Sequence, residues 1–348
     1  MTTRVIDADV VVIGGGVMGS AAARALARVG REVTLLERFR VGHTRGSSHG
    51  RSRVFRFSYH EPRWVRMAME ALPLWRELEE EAGERILLQT GGLDVGKQLD
   101  DHRDALAACG ASFEVLDGRE AGRRWPFLSF GEAATALFQP DAGVVDAERA
   151  WRAFAAGAVQ AGAALREGTR VDSLAVEGDR AVIRAGGETL RARVAVVTAG
   201  AWARDLLRGA GLDIPTKPTR ETVAYFRLPS EGTPPVVVDW AHPAVYALPS
   251  GHGTIKIGEH QAGPVTNPDE PGRPSEESIA RLTAWIRARY PGADPEHHHA
   301  ETCIYTNTPD EGFVLERRGP VVIGSACSGH GFKFAPWIGR RLGELARA

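Results

Sequence analysis

Cysteine is scarce in this chain. Among 348 residues there are three, Cys109, Cys303 and Cys327. Three widely spaced thiols make no disulfide framework, which argues for a reducing compartment. An excess of either charge sign is also missing. Lys and Arg total 43 and Asp and Glu 44, for a formal net charge of -1. That balance offers no electrostatic attraction to nucleic acid or to an acidic membrane. No uncharged run reaches the roughly 18 residues that span a bilayer, so no membrane partner is expected. The first residues do not resemble a signal peptide: Arg4, Asp7 and Asp9 crowd them, and Gly14, Gly15 and Gly16 interrupt the apolar stretch that follows. The expected location is cytoplasmic. Repeats and low-complexity tracts are absent. Metal-ligand spacing is absent too. His297, His298 and His299 are consecutive and have no Cys or acid at ligand distance in sequence, so a solvated loop and no metal are expected.

Glycine, by contrast, is abundant. The chain holds 40, where average usage of about 7% would give roughly 24. Such an excess suits a backbone that must approach a ligand closely. Length suggests about two domains. Val10 to Ile13 is an apolar β-branched run, as a buried parallel strand would be. It leads into Gly14-Gly15-Gly16-Val17-Met18-Gly19, a G-x-G-x-x-G. Ser20 to Val29 reads as an Ala-rich helix that Gly30 can stop, and Glu32 to Leu36 as a second strand. Glu37 follows at about the 20-residue spacing of an acid that grips a ribose. Strand, glycines, helix, strand and acid in this order indicate an ADP-containing dinucleotide. Whether it is FAD or NAD is left open by these residues.

The stretch from Val41 to Tyr59 is dense in Gly, Ser, His and Arg, with Arg45, Arg51, Arg53 and Arg56 close together. Small residues alternate with the charges, as when a backbone wraps a ligand. Trp64, Ala68, Ala71, Trp75 and Leu78 then mark one face of a core helix that contains Pro73. Asp146 can cap a helix through Trp151, Phe154 and Val159. Short β-rich pieces run from Val171 to Arg193, and Val194 to Val197 is a further apolar strand broken by Thr198-Ala199-Gly200. That break serves a bound cofactor or a plain turn equally well. Val321 to Gly324 repeats the pattern, and Ser328-Gly329-His330-Gly331-Phe332-Lys333 leads to Pro336 in a helix start. Pro and Gly between Pro264 and Pro274 read as a loop within a domain. Three separated strand–glycine–helix units imply one nucleotide domain assembled from discontinuous segments.

Taken together, these motifs make the chain resemble the D-amino-acid-oxidase-type flavoproteins, in particular the monomeric sarcosine oxidase and N-methyltryptophan oxidase group. The likeness spans nearly the whole chain. It is most specific at Gly14 to Gly19, Gly46-Ser47-Ser48-His49-Gly50, Arg53 to Arg56, Lys256-Ile257-Gly258, Cys303-Ile304-Tyr305-Thr306, Pro309-Asp310-Glu311 and Ser328 to Lys333. It implies an α/β fold with an α+β second domain. A Rossmann-like FAD-binding domain would comprise residues 1–84, 142–214 and 312–348, and a substrate domain of mixed or antiparallel sheet residues 85–141 and 215–311.

By the same resemblance FAD would be held by Gly14, Gly16, Val17, Met18, Gly19, Glu37, Arg38, Ser47, His49, Arg53, Val171, Ala199, Gly200, Trp202, Gly329, Gly331, Phe332 and Lys333. It would be joined covalently through a thioether at Cys303. Arg56 and Lys333 would bind the substrate carboxylate, Lys256 would stabilise superoxide forming from O2, and His260 and Tyr246 would shape the amine pocket. The fork of an arginine suits a carboxylate and a lysine adds a point charge; Phe332 and Phe334 beside Lys333 suggest its burial. Lys256 stands between Ile255 and Ile257, an alternation that a plain amphipathic strand also explains. Cys109 and Cys327 lack such a setting and read as structural.

The implied activity is oxidation of a secondary α-amino acid, sarcosine or another N-methyl amino acid, with O2 as acceptor and H2O2 as product. Three alternatives remain: a cyclic imino-acid oxidase, a related dehydrogenase or imine-forming biosynthetic enzyme, and an NAD(P)-dependent reductase. A non-enzymatic flavin module would leave Arg56, Lys256 and Lys333 without a task. The partner is a small amino-acid substrate and the expected state a monomer. The chain departs from the family pattern at Ser48 and Phe57, each in place of a histidine, and it stops at Ala348, inside the last helix, where relatives continue. Residues between Tyr225 and Tyr246 are expected to line the side-chain end of the pocket.

Overall fold

A computed structural model describes residues 4–96, 99–129, 131, 134–229, 233–241, 243–251 and 253–348. Its strands form two eight-stranded sheets and one of three strands. At the centre of the first sheet, strand Val5–Ile13 lies parallel to Val33–Leu36 on one side and to Glu188–Val197 on the other. Val10, Val11 and Val12 are fully buried. A strand covered on both faces reads as an unbroken apolar run, which is why this one was legible. Glu188–Val197 divides its outer edge. Its first half pairs antiparallel with Arg180–Ala185, and its last residues pair parallel with Val321–Ser325.

Helix Val17–Ala27 follows the glycine turn and crosses helix Ala335–Arg347. The two approach closely because Gly339 faces Ala21: a Cβ on Gly339 would fall 2.6 Å from the Ala21 methyl. Helix Pro62–Ala82 continues through Pro73, and Trp64, Ala68, Ala71, Trp75 and Leu78 are all buried. The Trp75 indole donates to the backbone oxygen of Lys333 at 2.8 Å, so this core stripe also fixes a candidate site residue. Helix Ala147–Gln160 is capped by Asp146, whose side chain accepts from Arg149 N at 3.0 Å. Asp146→Ala is expected to lower unfolding stability by about 1 kcal/mol, read as a shifted urea midpoint at constant m-value.

The second sheet is mainly antiparallel. Its strands run in the spatial order His299–Asn307, Lys217–Arg227, Thr254–Glu259, Val245–Pro249, Val236–Asp239, Gly92–Gly96, Thr135–Gln139, Glu114–Asp117. The one parallel pairing joins Val236–Asp239 to Gly92–Gly96. Helix Glu276–Arg289 covers one face with Ile279, Leu282 and Ile286. The third sheet joins Ser52–Phe55, Gly143–Asp146 and Leu87–Leu88. The mixed α/β architecture agrees with the fold class expected from sequence.

Local details differ. The first helix begins at Val17 and ends at Ala27 rather than spanning 20–29. Val159 is 47% exposed and is not on the buried face of its helix. The polar stretch 41–59 contains strand Ser52–Phe55, whose pattern the arginines disguise. Val194 to Val197 is the end of one ten-residue strand, not a separate piece. Among the described residues no helix is long and apolar enough to cross a membrane, and no cluster of three or more His, Cys, Asp or Glu could hold a metal.

Candidate active site

A cavity of about 390 Å³ opens where the parallel strands of the first sheet end. Ile13 and Gly14, Leu36 and Glu37, Thr198, and Gly324 and Ser325 each bring the end of a different strand to it. Open α/β sheets bind ligands in this crevice, at the carboxyl ends of strands. Of the residues expected to hold a cofactor, Gly14, Gly16, Val17, Met18, Glu37 and Arg38 line it. So do Ser47, Arg53, Val171, Ala199, Gly200 and Trp202, and Cys303, Gly329, Gly331 and Phe332. Gly19, His49 and Lys333 do not line it. A Cβ on Gly19 would fall 1.9 Å from Gly14 O, so its task is to let the helix sit against the turn.

The glycine turn is built for close approach. Gly14 has φ +99, a conformation that side chains resist, and a Cβ there would fall 2.7 Å from Thr198 O. Gly16 caps the helix without any side-chain bond of its own, and Ser48 Oγ accepts from Val17 N at 3.0 Å. Glu37 accepts from Gly15 N at 2.8 Å through one oxygen and from Phe39 N at 2.7 Å through the other. Burial pushes its carboxyl above the ordinary value, while both backbone bonds pull it back.

Cys303 lies on strand His299–Asn307, buried at 8% exposure beside the cavity. The Ser47 hydroxyl donates to Ile304 O, tying the 41–51 loop to this strand next to the thiol. Burial raises the thiol pKa, whereas the nearby cations Arg53 and Lys256 lower it. Arg53 donates to the carbonyls of Ser52 at 3.0 Å and Ser47 at 2.9 Å, and to that of His49. Its guanidinium therefore organises the loop.

Lys256 is buried on the middle of strand Thr254–Glu259, as are Ile255 and Ile257. Its Nζ lies 3.7 Å from Glu301 Oε1, and the same carboxylate accepts from the Tyr225 hydroxyl at 2.5 Å. Desolvation first, then Arg53, pulls the Lys256 pKa down to about 8, and Glu301 opposes both. His49 is buried nearby, its Nδ1 3.9 Å from Glu301 and without a hydrogen bond; burial and Arg53 bring it to about 4, so it is neutral at pH 7.

A second group gathers around Tyr59. Arg56, 8% exposed, holds its guanidinium carbon 4.5 Å from the Tyr59 ring centre and 5.1 Å from that of Trp240. Lys333, 4% exposed, has its Nζ 5.4 Å from the same Tyr59 centre. That Nζ donates to the Tyr59 hydroxyl at 2.8 Å and to His330 O at 2.7 Å. Burial drives the Lys333 pKa well below the lysine range; Arg56 adds to this and Asp94 resists it. The fold thus brings Arg56 and Lys333 to one aromatic ring from opposite ends of the chain.

His260 and Tyr246 flank the cavity rather than line it. His260 Nε2 lies 3.4 Å from Glu311 Oε2, and Tyr246 packs on Gly258 and beside Tyr305, which does line the cavity. Gly329 closes this group: a Cβ there would fall 2.2 Å from Tyr305 and 2.9 Å from His260. The three non-glycine residues with positive φ among the described residues, Gln261, Glu311 and Ser328, all lie here. Backbone strain of this kind concentrates at functional sites.

Sequence reasoning missed several lining residues. Cys327, read as structural, lines the cavity, and its sulfur accepts from Thr306 N at 3.3 Å. Asp269 comes from the Pro/Gly-rich loop and binds both Arg38 (2.6 Å) and the Trp202 indole (3.0 Å). Within the 225–246 stretch Trp240 reaches Arg56, while residues 230–232 and 242 lie outside the described residues.

A family model described as FAD dependent oxidoreductase matches residues 9–345. The chain belongs to that family. Monomeric sarcosine oxidase of Bacillus sp. (strain B-0618) is 33% identical to this FAD-dependent oxidoreductase, over 97% of the chain and 92% of the relative. Peroxisomal sarcosine oxidase of Homo sapiens is also 33% identical, with 97% and 92% covered. Among solved structures, L-proline dehydrogenase from P. horikoshii gives a TM-score of 0.88 at 26% identity, covering 98% of this chain and 93% of that one. NikD, described as an unusual amino acid oxidase essential for nikkomycin biosynthesis, gives 0.87 at 27%, covering 98% and 94%.

The residues of this flavoenzyme fit FAD. Gly14 and Gly16 bring bare backbone to the cavity, the helix that starts there has no side-chain cap from Gly16, and Glu37 is held at the cavity by two N–H groups. Backbone N–H groups and a helix N-terminus suit a pyrophosphate, and a fixed carboxylate suits ribose hydroxyls.

Proposed function

We propose that the enzyme oxidises secondary α-amino acids, sarcosine or another N-methyl amino acid, at the C–N bond. The imine then hydrolyses to an aldehyde and the primary amino acid, and O2 is reduced to H2O2. One observation carries this reading: two buried cations, Arg56 and Lys333, share the Tyr59 ring close to the cavity. Arg56 is paired with one buried carboxylate, Asp94, whereas Lys333 bonds only a hydroxyl and a carbonyl, so the two cations together leave one positive charge for a substrate carboxylate to satisfy. The naming of the 33%-identical relatives as sarcosine oxidases supports the same class. A cyclic imino acid is the second reading, favoured by the likeness to L-proline dehydrogenase.

Bound FAD supplies the redox chemistry by accepting two electrons. The chain does the rest. Arg56 and Lys333 bind and orient the carboxylate, while Tyr246, Tyr305 and His260 bound the amine end. The substrate nitrogen must be unprotonated to be oxidised, so the rate of reduction rises with pH. Lys256 supplies positive charge to developing superoxide. It is charged below about 8 and loses the proton above that value. The oxygen-dependent half of turnover is therefore expected to weaken as pH rises through about 8. Lys256→Met should make that half slow and flat with pH, measured by mixing the reduced enzyme with O2.

Cys303 is assigned the covalent link to the flavin. Acid precipitation is expected to leave colour in the pellet, and Cys303→Ser to release it to the supernatant; colour in the wild-type supernatant would contradict the link. A monomeric, cytoplasmic enzyme is the accompanying expectation, checked by light scattering and fractionation. Bleaching of the visible flavin band by sarcosine, N-methyl or cyclic amino acids without oxygen tests the donor class.

A further inference from the structure

Asp94 takes no part in the chemistry above, yet it is buried directly beside Arg56. It sits on strand Gly92–Gly96 between Leu93 and Val95, which enter the core of the second sheet. The strand is paired on both edges, with Val238 and Leu137 beside Asp94. The residue is 2% exposed. An unpaired carboxylate there would be expensive, so its partners define its role. Oδ1 lies 3.3 Å from Arg56 Nη1 and accepts from the Trp240 indole at 2.8 Å. Arg56 Nη1 also donates to Ser58 O. Both of these bonds use the one nitrogen; among the described residues no acceptor is bonded to Nη2 or Nε. Asp94 and Ser58 thus hold the fork by one prong and leave its other edge for a carboxylate.

Arg56 and Asp94 form one positive and one negative charge 3.3 Å apart, and Lys333, whose ammonium burial disfavours, adds a second positive charge when an anion binds beside it, so a single substrate carboxylate neutralises the group. Among the described residues the other cations nearby are already engaged: Arg63, over Trp64, is paired with Glu61 at 2.9 Å. Arg53 is bonded to three loop carbonyls, and Lys256 faces Glu301. Glu311, which is acidic, also lies near Tyr59 and His330. A second carboxylate would meet Asp94 or Glu311.

Resting on the secondary-amino-acid reading, we infer that Asp94 is a specificity-determining residue that restricts the enzyme to substrates with one carboxylate. It sets the orientation of Arg56 and cancels its charge, so monocarboxylate amines are accepted and dicarboxylate amines rejected. Like charges brought together at a desolvated site are strongly disfavoured.

The test compares one-charge and two-charge ligands of the holoenzyme in two ways. Acetate and malonate are titrated while the flavin absorbance is followed, and sarcosine and iminodiacetate are compared for anaerobic bleaching. The wild type is expected to favour the monoanion by at least about 30-fold in each, and Asp94→Asn to narrow both ratios by about tenfold or more. Equal binding of acetate and malonate by the wild type, or ratios in Asp94→Asn within about twofold of wild type, would overturn the inference. If Asp94→Asn does not fold, Trp240→Phe, which removes the indole bond that holds Asp94 Oδ1, takes its place and should narrow both ratios in the same direction; unchanged ratios there would overturn the inference. If no secondary amino acid bleaches the flavin while acetate still outcompetes malonate, the donor assignment fails and the role of Asp94 stands.

Discussion

Arg56→Ala is expected to weaken binding of carboxylated amines by roughly 30-fold to several thousand-fold. That range corresponds to the roughly 2–5 kcal/mol lost when one member of a buried, hydrogen-bonded charge pair is truncated. The loss should be large because the guanidinium is buried between Tyr59 and Trp240, where water cannot replace it. Asp94 enlarges it further, since removal of Arg56 strands a buried carboxylate 3.3 Å away. The signature is selective. The apparent dissociation constant for an N-methyl amino acid should rise, whereas that for its decarboxylated amine should change little. Arg56→Lys should recover only part of the loss, because an ammonium cannot both keep the Asp94 and Ser58 contacts and offer two further donors. Stopped-flow reduction over a range of substrate concentrations separates this binding effect from the limiting rate. Stability must be followed in parallel, since a stranded Asp94 also destabilises the fold.

Gly14→Ala is expected to abolish FAD retention. The φ of +99 is one that alanine adopts only under strain, and the new methyl would sit 2.7 Å from Thr198 O and 2.9 Å from Ala199 Cα. Both contacts are backbone, so no flexible side chain can move aside. Strain and overpacking together should cost on the order of 2–5 kcal/mol. Relief requires the two strand ends that flank the cavity to separate. The variant should be recovered colourless or nearly so, with a lowered melting temperature that added FAD does not restore. Gly30→Ala is a useful contrast: it also has positive φ, but nothing lies within 4 Å of its would-be Cβ. It should lose a little stability and keep its flavin.

What the sequence revealed follows a physical division. Val10 to Ile13, the Gly14 turn and the Trp64-to-Leu78 stripe are local patterns: neighbours in sequence decide burial, and the strand and helix periods show it. The Asp146 cap is local for the same reason. Resemblance reached further and indicated Arg56 and Lys333, which the fold brings to one ring. Other features depend on contacts between distant segments. Strand Ser52–Phe55 is hidden by Arg53, whose charge is absorbed by loop carbonyls rather than by solvent. Asp94 looks like an error in an apolar strand until Arg56 and Trp240 arrive from elsewhere. Asp269 sits in a loop without periodicity and acquires meaning only against Arg38 and Trp202. Glu301 likewise gains its part from Lys256 and Tyr225 on neighbouring strands. Paired charges inside a protein are a tertiary property, and one member alone carries no signal of the other.

Whether Arg56 and Lys333 hold an anionic secondary amine for oxidation by the bound flavin is decided by anaerobic titration of the holoenzyme with matched pairs: sarcosine against dimethylamine, and L-proline against pyrrolidine. At least one carboxylated member should bleach the flavin band while its decarboxylated partner leaves it intact at the same concentration. Equal bleaching by both members of each pair, or none by any secondary amino acid, would contradict that role for the two cations.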